Sequence, residues 1–105
     1  MNFRNTIQTH PNIIVLFYTD WSASSFMMSE LLSQLRDEYA GELEVLFINA
    51  DESRHIGAQY GIRRIPTLAF FRGGNIVKTV EGTASRSDIT GLIQTLFMSK
   101  KRGRP

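Results

Sequence analysis

Hydrophobic and polar positions divide most of the chain into apolar runs and periodic segments. The run at 13–18, IIVLFY, is apolar throughout and rich in β-branched and aromatic residues, which predicts a strand buried on both faces at the centre of a sheet. Residues 44–50, EVLFINA, form a second such run, and 66–71, PTLAFF, form a third that opens with a proline. We therefore predict three strands, the first of them central.

Other segments repeat at the period of an α-helix. Residues 24–40 carry one apolar stripe and are followed by Gly41, which predicts a helix that ends in a left-handed glycine. Ser85 opens a capping-box pattern before a second stripe, which predicts a C-terminal helix. Residues 51–60 predict a shorter helix with Asp51 and Glu52 at its positive end. Residues 2–9 predict either a helical turn or irregular chain. The two stripes consist of Met28, Leu31, Leu32, Leu35 and Tyr39, and of Ile89, Leu92, Ile93, Leu96 and Phe97.

The order of these elements predicts the fold class. Gly73, Gly74 and Asn75 mark a hairpin, so that residues 76–82 return antiparallel to the third strand. A strand–helix–strand start joined to a strand–strand–helix finish predicts an α/β fold, with a mixed central sheet of about four strands flanked by helices on both faces. At 105 residues the chain is long enough for one domain, which we place at 1–99, followed by a basic tail at 100–105.

Charge and composition exclude several classes of function. Four of the 12 basic residues lie in the tail, and without them 8 basic residues face 10 acidic ones, so the body of the protein is mildly acidic and no nucleic-acid binding is expected. There is no cysteine, and His10 and His55 are far apart, so we expect no disulfide, thiol nucleophile, metal or cofactor. No apolar stretch suits a signal peptide or a membrane span, which predicts a cytoplasmic protein.

Two motifs carry a resemblance to a known family. The first is VLFYTDWSASS at 15–25, where an apolar strand runs into a tryptophan and two serines three residues apart. The second is YGIRRIPTLAFFRGGNIV at 60–77. The short motif INAD at 48–51 lies between the two, and VEG at 80–82 follows the second. In sequence, spacing and order these motifs resemble the thioredoxin family over residues 13–98.

The resemblance implies a thioredoxin-like fold and a peptide-binding groove. Ser22 and Ser25 fall on the two family cysteines, so that Ser-x-x-Ser replaces Cys-x-x-Cys, and Trp21 falls on the family tryptophan. Pro66 falls on the family's cis-proline, although a proline that starts a strand is more commonly trans. In the family, the backbone before this proline binds an extended peptide, and the groove implied here consists of Trp21, Ser22, Ile65, Pro66 and Gly82.

The sequence departs from the family where the redox chemistry takes place. Besides the missing cysteines, Ala23 and Ser24 replace the family's Gly-Pro. The buried aspartate that assists proton transfer in many thioredoxins maps to Leu16, and its lysine partner maps to Phe47. The N-terminus is also shorter, so the first strand of the family is missing or reduced.

Serine fits the position of a redox cysteine but not its chemistry. A serine hydroxyl stays protonated at neutral pH without an adjacent base, and oxygen cannot replace sulfur in reversible disulfide exchange. We therefore expect no dithiol–disulfide exchange, and hence no catalytic residue, in this chain. Serine is also a preferred N-cap residue, so the serine cluster starts the helix on either interpretation. Met27 and Met28, next to the site, are predicted to fill the core.

Three functional hypotheses follow. The first is a redox-inactive protein that binds a peptide or protein partner in extended form at the groove. The second is a thiol–disulfide oxidoreductase of cell redox homeostasis whose natural sequence carries cysteine at position 22, 25 or both. The third, weaker hypothesis is a scaffold that uses another face.

Overall fold

A computed structural model of the chain describes residues 2–98. The predicted basic tail at 100–105 lies outside the described residues. Helices and strands alternate in the predicted order, which confirms the α/β class. The elements are α1 (Phe3–Thr6), β1 (Asn12–Tyr18), α2 (Ala23–Glu38), β2 (Glu44–Asn49), α3 (Arg54–Gln59), β3 (Thr67–Arg72), β4 (Asn75–Glu81) and α4 (Arg86–Ile93), which continues as a π-helical turn over Gln94–Met98.

The four strands form one mixed sheet in the order β2-β1-β3-β4. Strand β1 lies parallel to β2 and antiparallel to β3, and β4 is antiparallel to β3. As predicted, β1 is central and its five middle residues are buried. Because β1 and β2 are parallel, their C-terminal ends lie at the same edge of the sheet.

Helices cover both faces of the sheet, and each face has its own hydrophobic cluster. On the first face, α2 and α4 pack against alternate residues of β1 and β3, namely Ile14, Leu16, Leu68 and Phe70. On the second face, α1 and α3 pack against Ile13, Val15, Phe17, Ala69 and Phe71. The period of two along each strand therefore divides the core between the two layers.

The structure moves one helix boundary and one core residue away from the prediction. Helix α3 begins at Arg54 rather than at 51, because the side-chain oxygen of Asn49 accepts the backbone N–H groups of Asp51 and Glu52 and holds both in a turn. Met28 is buried as predicted, but Met27 is 63% exposed, so its assignment to the core was wrong.

The N-terminal segment is a short helix in the described part of the chain. Residues 2–11 contain α1 and no strand, and the Asn2 side chain caps α1 by accepting the N–H of Asn5. Phe3 and Ile7 are buried in the cluster on the second face of the sheet. Among the described residues, none of the helices combines the length and apolarity needed to cross a membrane.

Ser85 starts the last helix by accepting the N–H of Asp88, as the capping-box pattern predicts. The Arg86 side chain then donates to Glu38 at 2.8 Å and to Gln34 at 2.7 Å, which joins the start of α4 to α2. The hydrogen bond to Glu38 raises the pKa of Arg86 further above its ordinary value. The guanidinium is therefore charged in this contact.

Two phenylalanines offer a matched test of the core. Phe70 is fully buried between the sheet and α4, whereas Phe26 on α2 is 67% exposed. Phe70→Ala leaves a cavity and is expected to lower the free energy of unfolding by about 3–5 kcal/mol, whereas Phe26→Ala should change it by no more than about 0.5 kcal/mol. Urea unfolding followed by circular dichroism measures both, and similar losses in the two variants would contradict the packing described here.

Candidate functional site

The candidate site lies at the edge of the sheet where β1 and β2 end and α2 begins. Open α/β sheets commonly bind their ligands at the C-terminal ends of their parallel strands. The strand register places Phe17 beside Thr67, and Thr67 beside Glu81. The segment after β1, the residue before β3 and the residue after β4 therefore meet at this edge.

Ser22 and Ser25 both have structural hydrogen bonds at the start of α2. Ser22 is the N-cap residue, and its Oγ accepts the backbone N–H of Ser25 at 3.1 Å. Ser25 is only 1% exposed, and its Oγ accepts the backbone N–H of Thr19 at 3.2 Å. The two hydroxyls thus fix the first turn of the helix to the end of β1, which agrees with the capping role predicted for the serines.

Trp21 stands beside the helix start and is largely exposed. Its side chain is 74% exposed, and its Nε1 donates to Oδ2 of Asp51 at 2.9 Å. Asn49, only 8% exposed, donates through Nδ2 to Asp20 at 3.3 Å and accepts the N–H of Asp51. These contacts join the loop after β1 to the loop after β2 and hold Asp51 where the indole reaches it.

The sequence prediction missed the role of Asn49. The motif INAD places a polar residue at the end of an otherwise apolar strand. A buried amide at such a position needs hydrogen-bond partners, and the two loops that meet at the sheet edge supply them. That pattern could have identified Asn49 as a residue that orders the site.

Ile65 and Pro66 precede β3 at the same end of the sheet and form a second wall with Gly82. The peptide bond between Ile65 and Pro66 is cis, and Pro66 is buried. The Pro66 carbonyl accepts the N–H of Gly82 at 2.8 Å, and Gly82 adopts a φ of +82°, which favours glycine. The structure thus places Pro66 and Gly82 in direct contact.

The backbone of Ile65 is the part of this wall with unused hydrogen-bonding capacity. Ile65 is half-buried, with its side chain against the second-face cluster. Within residues 2–98, neither its N–H nor its C=O takes part in a hydrogen bond. A partly accessible donor and acceptor on one residue are the groups that an added strand requires.

Apolar side chains and charges surround the site. Trp21, Phe26 and Met27 are all at least 63% exposed and lie within seven consecutive residues. Phe26 also borders a small cavity of about 130 Å³ with Tyr18, Thr19, Asp20, Ser22 and Ser29. Asp20 and Asp51 are on the tryptophan side, whereas Arg64 on the other wall pairs with Glu81 at 3.3 Å.

The positions that hold a charged pair in many thioredoxins are apolar and adjacent. Leu16 and Phe47 are register partners in β1 and β2. Leu16 is fully buried, and Phe47 is half-buried with the Arg36 guanidinium carbon 5.8 Å from the centre of its ring. Neither side chain can supply a base or a proton to residues 22 and 25.

In addition, no three His, Asp or Glu side chains are grouped as a metal site in the described part of the chain.

Comparisons with known proteins agree with the motifs. The family model Thioredoxin matches residues 1–95. The chain is 32% identical over 95 residues to thioredoxin from Allochromatium vinosum, covering 90% of this chain and 89% of that protein. It is 36% identical over 84 residues to thioredoxin 1 from Nostoc sp., covering 80% and 76% of the two chains.

Solved structures confirm the thioredoxin-like fold. A point mutant of thioredoxin from Halobacterium salinarum superposes with a TM-score of 0.83 and 24% identity over 90% of this chain and 82% of that one. Mitochondrial thioredoxin 3 from Saccharomyces cerevisiae, in its oxidized form, superposes with a TM-score of 0.80 and 24% identity. The match covers 90% of this chain and 87% of that one. At this level of identity the structural match supports the fold alone.

Ser22 and Ser24 separate helix capping from a general effect of serine. Ser22→Ala removes the acceptor of the Ser25 N–H and is expected to lower the free energy of unfolding by about 1 kcal/mol. Ser24 lies inside the first turn and its side chain makes no hydrogen bond within residues 2–98, so Ser24→Ala should be neutral within about 0.5 kcal/mol. Urea denaturation measures both, and equal effects would argue against the cap.

Proposed function

The chain belongs to the thioredoxin family, and we propose that it is a redox-inactive member which binds an extended segment of a partner protein or peptide at the site described above. The observation that carries this proposal is the unpaired backbone of Ile65, which stands next to buried Pro66. A protein that performs no chemistry can still use these groups, because strand addition depends on main-chain hydrogen bonds and not on sulfur.

The surroundings of Ile65 favour a peptide over a small molecule. A segment in extended conformation could donate to the Ile65 C=O and accept from its N–H, as a neighbouring strand does. Trp21, Phe26 and Met27 then offer exposed apolar surface to its side chains. The cavity beside Phe26 and Ser22, about 130 Å³, is much smaller than the roughly 300–1,000 Å³ of small-molecule sites, which argues against a small-molecule ligand at the start of α2.

The absence of redox chemistry follows from the side chains at the helix start. Neither Ser22 nor Ser25 is activated by a base, and the Ser25 hydroxyl is buried and hydrogen-bonded to the Thr19 N–H. Leu16 and Phe47 are apolar at the positions where many family members carry a charged pair. Loss of the sulfurs together with those charges is consistent with a site that no longer transfers electrons.

The oxidoreductase hypothesis remains the second candidate. It is supported by the relatives, which are named as thioredoxins, and it requires cysteine at position 22, 25 or both in the natural protein. The apolar Leu16–Phe47 pair favours the binding function over it. A scaffold that uses another face remains a weaker third candidate.

In either of the first two roles we place the protein in the cytoplasm, without cofactor, nucleic acid or membrane as partner.

Binding at the groove can be tested with peptides selected from a phage-displayed random library. A selected peptide should shift the NMR resonances of the Ile65 amide and the Trp21 indole. Phe26→Ala should weaken its binding by about tenfold, because the variant removes exposed apolar contact area without disturbing the fold. Fluorescence anisotropy with a labelled peptide measures the affinity.

Val77→Ala is the matched control for this experiment. Val77 is also an exposed apolar residue, at 37%, but it lies on β4 and not at the groove, so its removal should leave the affinity unchanged. The proposal fails if the library gives no binder above background. It also fails if selected peptides bind with unchanged affinity to Phe26→Ala and leave the Ile65 amide unshifted.

Restoring both cysteines tests whether the rest of the site supports redox chemistry. Ser22→Cys/Ser25→Cys is expected to reduce insulin disulfides, with dithiothreitol as reductant, at least about tenfold more slowly than the similar thioredoxin from Allochromatium vinosum. The physical reason is that Leu16 and Phe47 cannot assist proton transfer. Comparable rates would mean that these positions matter little, and would favour the oxidoreductase hypothesis.

A further inference from the structure

Strand β2 is one edge of the sheet and is paired on one side only. In the strand order β2-β1-β3-β4, its single neighbour is β1. The Ala50 N–H donates to the Tyr18 C=O at 2.8 Å, which shows which residues on the β2 side form hydrogen bonds with β1. Since backbone groups alternate in direction along a strand, the even-numbered residues of β2 face β1, while Val45 and Phe47 direct their N–H and C=O groups outward.

These outward groups have no partner in the described part of the chain. In the described part of the chain β2 pairs with β1 alone, and no hydrogen bond outside the strand ladders engages the N–H or the C=O of Val45, which is 6% exposed, or of half-buried Phe47. Asn49 is the next residue whose backbone groups point away from β1. Its C=O accepts the N–H of Ser53 at 3.0 Å, so the stretch of unpaired groups ends before it. The edge thus presents two donors and two acceptors in a row.

The two edges of the sheet differ in how well they are protected. Natural edge strands are commonly protected by charged side chains, prolines or irregular pairing. The opposite edge, β4, carries Lys78 in its middle, and its pairing with β3 is irregular at Phe70 and Phe71. By contrast, residues 45–48 of β2 are all apolar, and the β1–β2 register runs without a shift.

The side chains along β2 indicate which residues would pack beside it. Leu46 and Phe47 are both half-buried and belong to opposite faces of the sheet, because Leu46 packs against the second-face cluster and Phe47 against the first. Each leaves part of its apolar surface uncovered at the edge. An added strand with apolar residues at its centre would cover both surfaces and gain hydrophobic stabilisation.

Charge indicates what would lie at the ends of that strand. Exposed carboxylates stand at both ends of β2: Glu42 precedes it, Glu44 is its first residue, and Asp51 and Glu52 follow it. Two copies of this chain paired antiparallel through β2 would bring the first pair of one copy beside the second pair of the other. Parallel pairing would place identical residues side by side. In both arrangements carboxylates of the two copies lie next to each other and repel, which disfavours a second copy as the partner.

From these observations we propose that the outer edge of β2 binds a β-strand of a partner polypeptide, with apolar residues at its centre and lysine or arginine at both ends. The surface consists of the outward backbone of Val45 and Phe47, the side chains of Leu46 and Phe47, and the carboxylates at the two ends. In the strand order this surface lies on the opposite side of β1 from β3, which follows Ile65 and Pro66. It meets the groove only at Asp51, whose carboxylate also accepts the Trp21 indole N–H at 2.9 Å.

The test uses a defined probe, the peptide acetyl-Lys-Thr-Val-Ile-Val-Thr-Lys-amide, whose three central residues place apolar side chains on both faces, added to the full chain labelled with nitrogen-15. The resonances of the Val45 and Phe47 amides should shift when the peptide is present, and the amide of half-buried Phe47 should exchange more slowly than in the free protein. The Ile65 amide should not shift, which separates this surface from the groove. The same peptide with N-methyl groups on its three central residues should not bind, because it cannot form the ladder.

Charge variants test the ends of the strand. Glu44→Gln/Glu52→Gln removes one carboxylate at each end and should weaken the peptide by about fivefold. Glu81→Gln/Asp88→Asn removes the same charge at the β4 side of the molecule and should leave the affinity unchanged. A peptide with glutamate in place of both lysines should bind more weakly than the original.

Several results would overturn the proposal. These are no shift at Val45 and Phe47 up to about 1 mM peptide, equal binding of the N-methylated peptide, or shifts confined to Ile65 and Trp21. Protection of the Val45 and Phe47 amides that rises with protein concentration in the absence of peptide would show instead that a second copy occupies the edge.

Discussion

The burial of β1 on both faces is the constraint on which the rest of this structure depends. Its residues alternate between the two hydrophobic clusters, and its backbone pairs with β2 on one side and β3 on the other. A strand held in this way has a fixed end, and the loop after it carries the site. Ser25 accepts the N–H of Thr19, immediately after β1, so the position of α2 and its serines is set from the same strand.

Replacing sulfur by oxygen changes the chemistry of the helix start but hardly its geometry. A hydroxyl accepts backbone N–H groups well, so Ser22 and Ser25 stabilise the turn that thiols would otherwise occupy. The wall made by Ile65, Pro66 and Gly82 depends on backbone conformation and on one Pro66–Gly82 hydrogen bond. None of these contacts requires a redox centre, so the proposed binding surface does not depend on electron transfer.

The fold could be predicted almost completely from the sequence, because its signals are local. The apolar run at 13–18, the stripe from Met28 to Tyr39 and the Gly73–Gly74 turn each determine one element, and few sheet topologies accommodate their order. Positions that depend on partners distant in sequence were less predictable. Met27 follows the helical pattern next to Met28, yet it faces solvent, and Asn49 takes its role from two loops that meet only in the folded chain.

The two binding surfaces proposed here rest on the same physical property, which is unpaired main chain at the margin of a sheet. At Ile65 the unpaired groups stand beside buried Pro66 and exposed aromatic residues, whereas at β2 they follow a regular ladder between carboxylates. Affinity at either place would come from the main chain, which any extended peptide can supply. Selectivity must therefore come from the side chains nearby, and these differ: large apolar groups at the groove, and negative charge at both ends of β2. The two surfaces meet at Asp51, which ends the β2 edge and accepts the Trp21 indole N–H, so they are neighbours and not independent sites.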